Sequence, residues 1–269
     1  MAGGQYNSIK SLIKAGKLIP FVGAGLSMNL GLPSFSELIN TIAKELGYDP
    51  DVFKVNGNNL QLAGYYVAMK GSIGPLRSIM DRSFNPSDKE IEASVAHTLL
   101  AQLKLPIIYT TNYDNIIERR FELMHLPVCS ISNIDDISSA PADATQVVKF
   151  HGTFSDDESL VLTESSYFDR LEFESAIDIK LRADMLGKCM LFLGYSLDDV
   201  NIRYMLYKLF KLRQKVKSDP NKKTPSAYLV TFGSNEIQKK LLNEWNVTII
   251  ELDPVDKRAS IEKFLKELL

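Results

Sequence analysis

The sequence is dominated by short, mostly apolar runs that end in small or polar residues. Six runs stand out: 18–22 (LIPFV), 106–109 (PIIY), 147–150 (VVKF), 189–193 (CMLFL), 227–232 (AYLVTF) and 247–252 (VTIIEL). Most of them lack the alternation of apolar and polar residues that marks a strand with one solvated face. Runs of this kind suit strands covered on both faces, so the pattern predicts a parallel sheet.

Segments with helical spacing of apolar residues lie between these runs, at 38–46, 116–123, 205–210 and 261–268. Strands that alternate with helices form right-handed βαβ units, which stack into a single sheet with helices on both faces. The sequence therefore predicts an α/β fold built on a Rossmann-like, doubly wound parallel sheet.

Two stretches interrupt the alternation. Residues 48–104 contain helical patterns and no convincing strand, and residues 155–186 are helical after an acidic turn. We expect both to be helical insertions within a single domain that spans residues 1–269. The polar stretch 126–146 predicts a long loop with one strand-like piece at 128–131, and the basic stretch 211–224 predicts a solvated helix end.

Composition excludes several classes of function. The 269 residues carry a net charge of −2, so direct nucleic-acid binding through phosphates is not expected. No apolar run approaches the ~20 residues that span a bilayer, and the first residues lack the apolar core of a signal peptide. Cys129, Cys189 and the three histidines are scattered. That scatter predicts no structural zinc and no other metal, and two lone cysteines fit the reducing cytoplasm.

The strongest local motif follows the first apolar run, as Gly23-Ala24-Gly25-Leu26-Ser27. Small residues at the end of a first strand let the main chain approach a phosphate, and free N–H groups of the turn can bind it. A tight turn that needs two glycines for steric reasons explains the motif equally well. The spacing also departs from the GxGxxG dinucleotide fingerprint.

A second motif, Gly-Leu-Pro-Ser-Phe-Ser-Glu, occupies residues 31–37. Ser34 and Glu37 form a capping box for the helix that follows. Capping does not explain Pro33 and Phe35, which together suggest a lid with Phe35 as its apolar tip.

Polar residues also follow three later runs. Asn112 and Asp114 lie in the stretch TTNYD (110–114), and His151 precedes Gly152. The carboxyl ends of parallel strands are where α/β sheets place ligands, so these side chains suit ribose binding, carboxamide binding and general-base catalysis, respectively. Asn112 also suits a helix N-cap, and a lone histidine is more often structural.

The last motif, Gly194-Tyr-Ser196-Leu-Asp-Asp199, follows the run 189–193. Ser196 and Asp199 have the spacing of a helix cap, and the same turn is placed to contact a phosphate or a ribose.

Taken in order, these motifs resemble the sirtuin family over roughly residues 15–200. The similarity is greatest to its zinc-free branch of NAD-degrading effectors in bacterial antiphage defence. The resemblance implies that the turn at 23–27, with Pro33 and Phe35, binds NAD⁺, and that Gly194 and Ser196 contact its phosphate or adenosine side. It also implies that Asn112 holds the ribose and the attacking water, that Asp114 binds the carboxamide, and that His151 is the general base.

Two departures from classical sirtuin deacylases bear on the reaction. Pro33 is followed by Ser-Phe-Ser instead of Asp-Phe-Arg, and the four zinc-binding cysteines are missing. Because the zinc module helps to build the peptide groove, the resemblance favours an NAD⁺ glycohydrolase that releases nicotinamide and ADP-ribose. Two alternatives stay open: an NAD-dependent protein deacylase or ADP-ribosyltransferase, and a non-catalytic nucleotide-binding module.

An unrestrained NAD⁺ hydrolase would kill its own cell. We therefore expect activity to be controlled by homo-oligomerisation, by a separate regulatory or sensor protein, or by both. The helical insertions are the candidate contact surfaces.

Overall fold

A seven-stranded, entirely parallel sheet forms the centre of the protein. The computed structural model describes residues 2–27, 30–172, 174–195, 200–214 and 225–269. The strands are β1 (Leu18–Val22), β2 (Ile107–Thr110), β3 (Val128–Ile131), β4 (Thr145–Lys149), β5 (Cys189–Leu193), β6 (Ala227–Thr231) and β7 (Val247–Glu251). Their order across the sheet is β3-β4-β2-β1-β5-β6-β7.

The direction of winding reverses at the central strand. β1 pairs with β2 on one side and with β5 on the other, and Val22 lies opposite both Thr110 and Leu193. The three strands therefore end side by side, and the residues that follow them lie next to one another at the same edge of the sheet. Doubly wound sheets bind ligands at this point, outside the carboxyl ends of the strands.

Helices cover both faces of the sheet. Those described are α1 (Ala2–Lys14), α2 (Phe35–Glu45), α3 (Pro50–Lys54), α4 (Asn59–Lys70), α5 (Gly74–Ser83), α6 (Asp88–Glu92), α7 (Val95–Gln102), α8 (Ile116–Leu123), α9 (Ile134–Ser139), α10 (Glu164–Glu172), α11 (Ala176–Asp184), α12 (Val200–Gln214), α13 (Glu236–Glu244) and α14 (Lys257–Leu268).

Three apolar cores hold these layers together. One lies between the sheet and α1, α7, α8 and α14, and a second lies under α11, α12 and α13 on the opposite face. The third is built from α2 to α5 with Leu160 and Leu162, apart from the sheet. Strand residues alternate between the first two cores, with Leu18 and Val22 in one and Ile19 and Phe21 in the other. Both faces of β1 are thus buried, which explains its uninterrupted apolar sequence.

The predicted α/β fold is confirmed, with two local differences and one segment that lies outside the described residues. The stretch 126–146 contains β3 as predicted, but it also contains α9, whose N-cap Asn133 forms a capping box with Asp136. The apolar pattern at 91–103 is divided between α6 and α7. The basic helix end is described only to Gln214, and residues 215–224 lie outside the described part. No described helix combines the length and the hydropathy needed to cross a membrane.

Candidate active site

The turns that follow β1 and β5 are packed directly against each other. The Gly23 N–H donates to the Leu193 carbonyl oxygen at 2.8 Å, and the Gly25 N–H donates to the Gly194 carbonyl oxygen at 3.0 Å. A Cβ atom at Gly25 would lie 2.7 Å from that same Gly194 oxygen. The steric explanation for these glycines is therefore correct, because main chain fills the space that a side chain would need.

The predicted set of free N–H groups in this turn is largely wrong. Besides the two glycines, the Leu26 N–H donates to the Gly23 carbonyl oxygen, and the Ser27 N–H donates to that of Ala24. Within the described chain, the N–H of the exposed Ala24 is the one donor of the turn without such an acceptor. A bound phosphate would therefore meet a compact glycine surface and one N–H group.

Replacing Gly194 by alanine tests this packing. Gly194 has φ +76°, and a Cβ atom there would lie 2.6 Å from the Leu26 nitrogen and 2.8 Å from the Gly23 oxygen. We expect Gly194→Ala to lower the free energy of unfolding by about 3 kcal/mol, from left-handed strain together with overpacking. Gly187→Ala is the matched control, because Gly187 has φ +77° and nothing within 4 Å of the added atom. Its expected loss in denaturant titration is only about 1 kcal/mol; equal losses would contradict the packing explanation.

Asn112 follows β2 and is buried, with 7% of its surface exposed. Its main-chain N–H donates to Thr110 Oγ1 at 3.0 Å, and its Nδ2 donates to Ser27 Oγ at 3.4 Å. It does not cap α8, which begins four residues later, at Ile116. Ser27 is itself 3% exposed, so its hydroxyl faces Asn112 inside the protein and not an outer phosphate.

His151 follows β4, the neighbour of β2. Thr110 pairs with Lys149 in these two strands, so Asn112 and His151 each stand two residues beyond a paired position. The His151 ring lies among Tyr113, Phe150 and Tyr167, with ring centroids 5.6–6.4 Å away. None of the described residues forms a hydrogen bond with its imidazole.

Burial and the nearby Arg170 guanidinium lower the pKa of His151 to about 3. Arg170 stacks on the Phe150 ring, with Cζ 5.1 Å from the centroid, and its Nη1 lies 3.5 Å from Asp178. His151 is consequently neutral near pH 7, and one nitrogen of its ring carries a lone pair that can accept a hydrogen bond.

Asp114 lies in a buried cluster of charges. Its Oδ1 accepts from the Ile116 N–H at 3.1 Å, which leaves its other oxygen for a ligand. The Lys149 ammonium donates to the Asp114 carbonyl oxygen and lies 3.4 Å from Glu118 Oε1. Burial, opposed by the charge of Lys149, raises the pKa of the Asp114 carboxyl. The cluster fixes the loop between β2 and α8.

A crevice of about 400 Å³ opens beside this cluster. Tyr113 and Asp114 line it from the loop after β2, Glu118 lines it from α8, and Thr153 and Phe154 line it from the segment after β4. The crevice therefore borders the two segments that carry Asn112 and His151.

The structure agrees with some of the remaining site predictions and not with others. Ser34 and Glu37 form the predicted capping box of α2. Pro33 is partly buried just before that helix. The interpretation of Phe35 as the tip of a lid is wrong, because Phe35 is the first residue of α2 and packs against the third core. Ser196 lies outside the described residues, as does the cap predicted at Asp199.

Sequence reasoning missed two buried groups that border the site, His97 and Lys149. The sequence shows His97 only as one of three scattered histidines and Lys149 only as part of an apolar run. The contacts that tie them to the site, His97 with Ser27 and Lys149 with Asp114, join residues 70 and 35 positions apart, so no local pattern indicates them. Across the described ranges, no group of three or more histidine, cysteine or acidic side chains is placed to hold a metal ion.

Comparison with known proteins finds relatives over most of the chain. The chain is 35% identical over 198 residues to the NAD(+) hydrolase ThsA of Enterococcus faecium, covering 72% of this chain and 40% of that protein. It is 31% identical over 191 residues to ThsA of Bacillus cereus (strain MSX-D12), covering 69% and 38%. It is 26% identical over 223 residues to Defense-associated sirtuin 2 of Bacillus subtilis, covering 77% and 21%.

The chain thus spans about two fifths of the length of these ThsA relatives. The family model described as SIR2-like domain matches residues 106–250, from the start of β2 to the last residues of β7. That match contains Asn112, Asp114, His151 and Gly194 and covers more than half of the sequence. This chain therefore belongs to the SIR2-like domain family.

Proposed function

We propose that this chain hydrolyses NAD⁺ to nicotinamide and ADP-ribose within a single catalytic domain. The observation that carries the proposal is the placement of Asn112 and neutral His151 at one level of neighbouring strands, beside the winding reversal of the sheet. Relatives named NAD(+) hydrolase ThsA, 28–35% identical to this chain, support the same reaction.

The chemistry requires little acid catalysis. Breaking the bond between nicotinamide and ribose builds positive charge on the sugar, as in glycoside hydrolysis. Nicotinamide carries a positive charge before it leaves, so its departure needs no proton. The site must instead position the carboxamide, stabilise the sugar cation and direct a water molecule.

Asn112 and His151 meet these requirements in the proposal. The Asn112 amide donates its N–H inward to Ser27, so its oxygen is available to accept from water or a ribose hydroxyl. His151 accepts the proton that water loses as it attacks. The free oxygen of Asp114 accepts from the carboxamide of nicotinamide.

The turns after β1 and β5 form the diphosphate side of the proposed site. Gly23, Gly25 and Gly194 pack against one another and form the surface on which the diphosphate is proposed to lie, and the Ala24 N–H is free to bind an oxygen. Ser196 is assigned to the phosphate or adenosine side. Pro33 directs the segment that leads into α2 past this surface.

We extend the proposal to a regulated role in antiphage defence, in the cytoplasm. Support comes from the relative named Defense-associated sirtuin 2. Because free NAD⁺ hydrolysis is toxic, a second copy of this chain or a separate sensor protein is proposed to control the site.

Incubation of the purified full chain with NAD⁺ tests the activity, with and without an acyl-lysine peptide. We expect equal molar release of nicotinamide and ADP-ribose, without any requirement for the peptide. Nicotinamide release that depends strictly on the peptide would show a deacylase instead. A chain that leaves NAD⁺ intact in vitro, and leaves the cellular NAD⁺ pool unchanged both when overproduced and during phage infection, would refute the proposal.

A further inference from the structure

A buried chain of polar side chains continues inward from Asn112. Ser27 Oγ, which accepts from Asn112 Nδ2, lies 3.4 Å from His97 Nε2. On the other side of the ring, His97 Nδ1 lies 2.7 Å from Ser94 Oγ. Ser94, Ser27 and His97 are each at most 4% exposed. The mechanism proposed above uses Asn112 and leaves the other three without a role.

Ser94 gives independent evidence that the position of the His97 ring is fixed by a specific hydrogen bond. It occupies the N-cap position of α7, where a serine usually accepts a hydrogen bond from the first turn of the helix. Its side chain makes no such bond and instead contacts His97. The first turn of α7 thus has no side-chain cap, and the Ser94 hydroxyl forms a short hydrogen bond with His97 instead.

The protonation state of the ring follows from its surroundings. Burial and the charge of Arg120 lower the pKa of His97 to about 4. The ring therefore carries one N–H near pH 7, on either Nδ1 or Nε2.

Counting donors and acceptors leaves one buried hydroxyl without an acceptor in either tautomer. With the proton on Nδ1, the ring donates to Ser94 Oγ and the Ser27 hydroxyl donates to Nε2 while accepting from Asn112, so the hydroxyl without an acceptor among the described side chains is that of Ser94. With the proton on Nε2, that hydroxyl is Ser27, directly beside Asn112. Only the first arrangement leaves both polar groups of the Asn112–Ser27 contact fully paired.

We propose that His97, in its Nδ1–H tautomer, is a positioning residue that acts through Ser27 to orient the Asn112 amide. An aligned row of hydrogen bonds runs from Asn112 Nδ2 to Ser27 and on to His97 Nε2, and each bond polarises the next. With its nitrogen held inward, the amide must present its oxygen to the substrate. This inference rests on the proposed hydrolysis of NAD⁺ for its kinetic consequence only.

Two substitutions at His97 separate positioning from packing. In His97→Gln, the amide oxygen can reach the place of Nε2 and accept from Ser27. In His97→Asn, the shorter side chain reaches only the place of Nδ1, next to Ser94. We expect His97→Asn to lower kcat about 100-fold with KM changed less than about threefold, and His97→Gln to retain kcat within about tenfold.

Controls make the kinetic result decisive. The exposed His125, which has φ +54°, is changed to asparagine as a matched histidine control, and activity is normalised to the folded fraction from circular dichroism. Retention of wild-type kcat by folded His97→Asn, or equal losses in both His97 variants, would overturn the positioning role.

Nitrogen-15 NMR provides a readout that does not require turnover. Long-range couplings of the wild-type ring should show the Nδ1–H tautomer, and the Asn112 side-chain amide signals should shift in His97→Asn but little in His97→Gln. An Nε2–H tautomer, or unshifted Asn112 signals in His97→Asn, would overturn the inference. If wild-type protein hydrolyses no NAD⁺, the proposed function fails alone, and these spectra still decide the orientation of Asn112.

Discussion

Alanine at Asn112 is expected to lower kcat for NAD⁺ hydrolysis about 100- to 1,000-fold, because the substrate loses a preorganised hydrogen-bond acceptor. Alanine at His151 is expected to lower kcat about 100- to 10,000-fold, because the attacking water loses its base. Both effects belong to the chemical step, so KM should change little. The measurement is initial-rate release of nicotinamide over a range of NAD⁺ concentrations.

Asn56→Ala and His125→Asn are suitable controls, since both original side chains are exposed. They should retain wild-type rates. Thermal unfolding should show Asn112→Ala and His151→Ala to be folded at the assay temperature. Full activity in either folded variant would remove that residue from the proposed mechanism.

Replacing Lys149 by methionine is expected to cost about 3–5 kcal/mol of unfolding free energy, the usual cost of removing one partner from a buried ion pair. The Lys149 side chain is 1% exposed and that of Glu118 is 8% exposed. Among the described residues, Glu118 Oε2 has no hydrogen-bond partner, and Ser130 Oγ donates to Oε1 at 3.2 Å. Without the ammonium, the Glu118 carboxylate would be left buried beside Asp114. Urea titration at neutral pH measures the loss.

Combining Lys149→Met with Glu118→Gln should restore a large part of the lost stability, since the second change removes the uncompensated charge. Arg258→Met is the matched surface control. Its guanidinium is more than half exposed and pairs with Glu262 one turn away, so the loss should stay below about 0.5 kcal/mol. A Lys149→Met variant as stable as the wild type would show that the pair contributes nothing to the loop it holds.

The layered fold could be predicted because its signal is local. β1 and β5 are buried on both faces along their whole length, so their apolar runs are visible without knowledge of their neighbours. α9 was missed although Asn133 and Asp136 have capping-box spacing, because the polar residues around them are equally typical of a loop.

The site was predictable in position but not in its contacts. Asn112 and His151 follow recognisable strands, and strand ends are the expected place for ligands. The contact of Asn112 with Ser27 joins residues 85 positions apart, and the contact of Ser27 with His97 joins residues 70 apart. No helical or strand periodicity in the sequence indicates contacts between residues so far apart. The lid predicted at Phe35 was wrong for a different reason, because its motif is also the start of α2, whose apolar face packs with α3 to α5.

The close packing of the turns after β1 and β5 also affects how the protein is made. A ribosome delivers Asn112 and His151 well before it delivers Gly194, whose main chain completes the turn at Gly23 and Gly25. Pairing between segments so far apart in the chain forms late in folding. A nascent polypeptide that already carries both proposed catalytic side chains would thus lack the packed turns of the proposed diphosphate side. Under the proposed function, NAD⁺ could not be held in full until β5 has emerged from the ribosome.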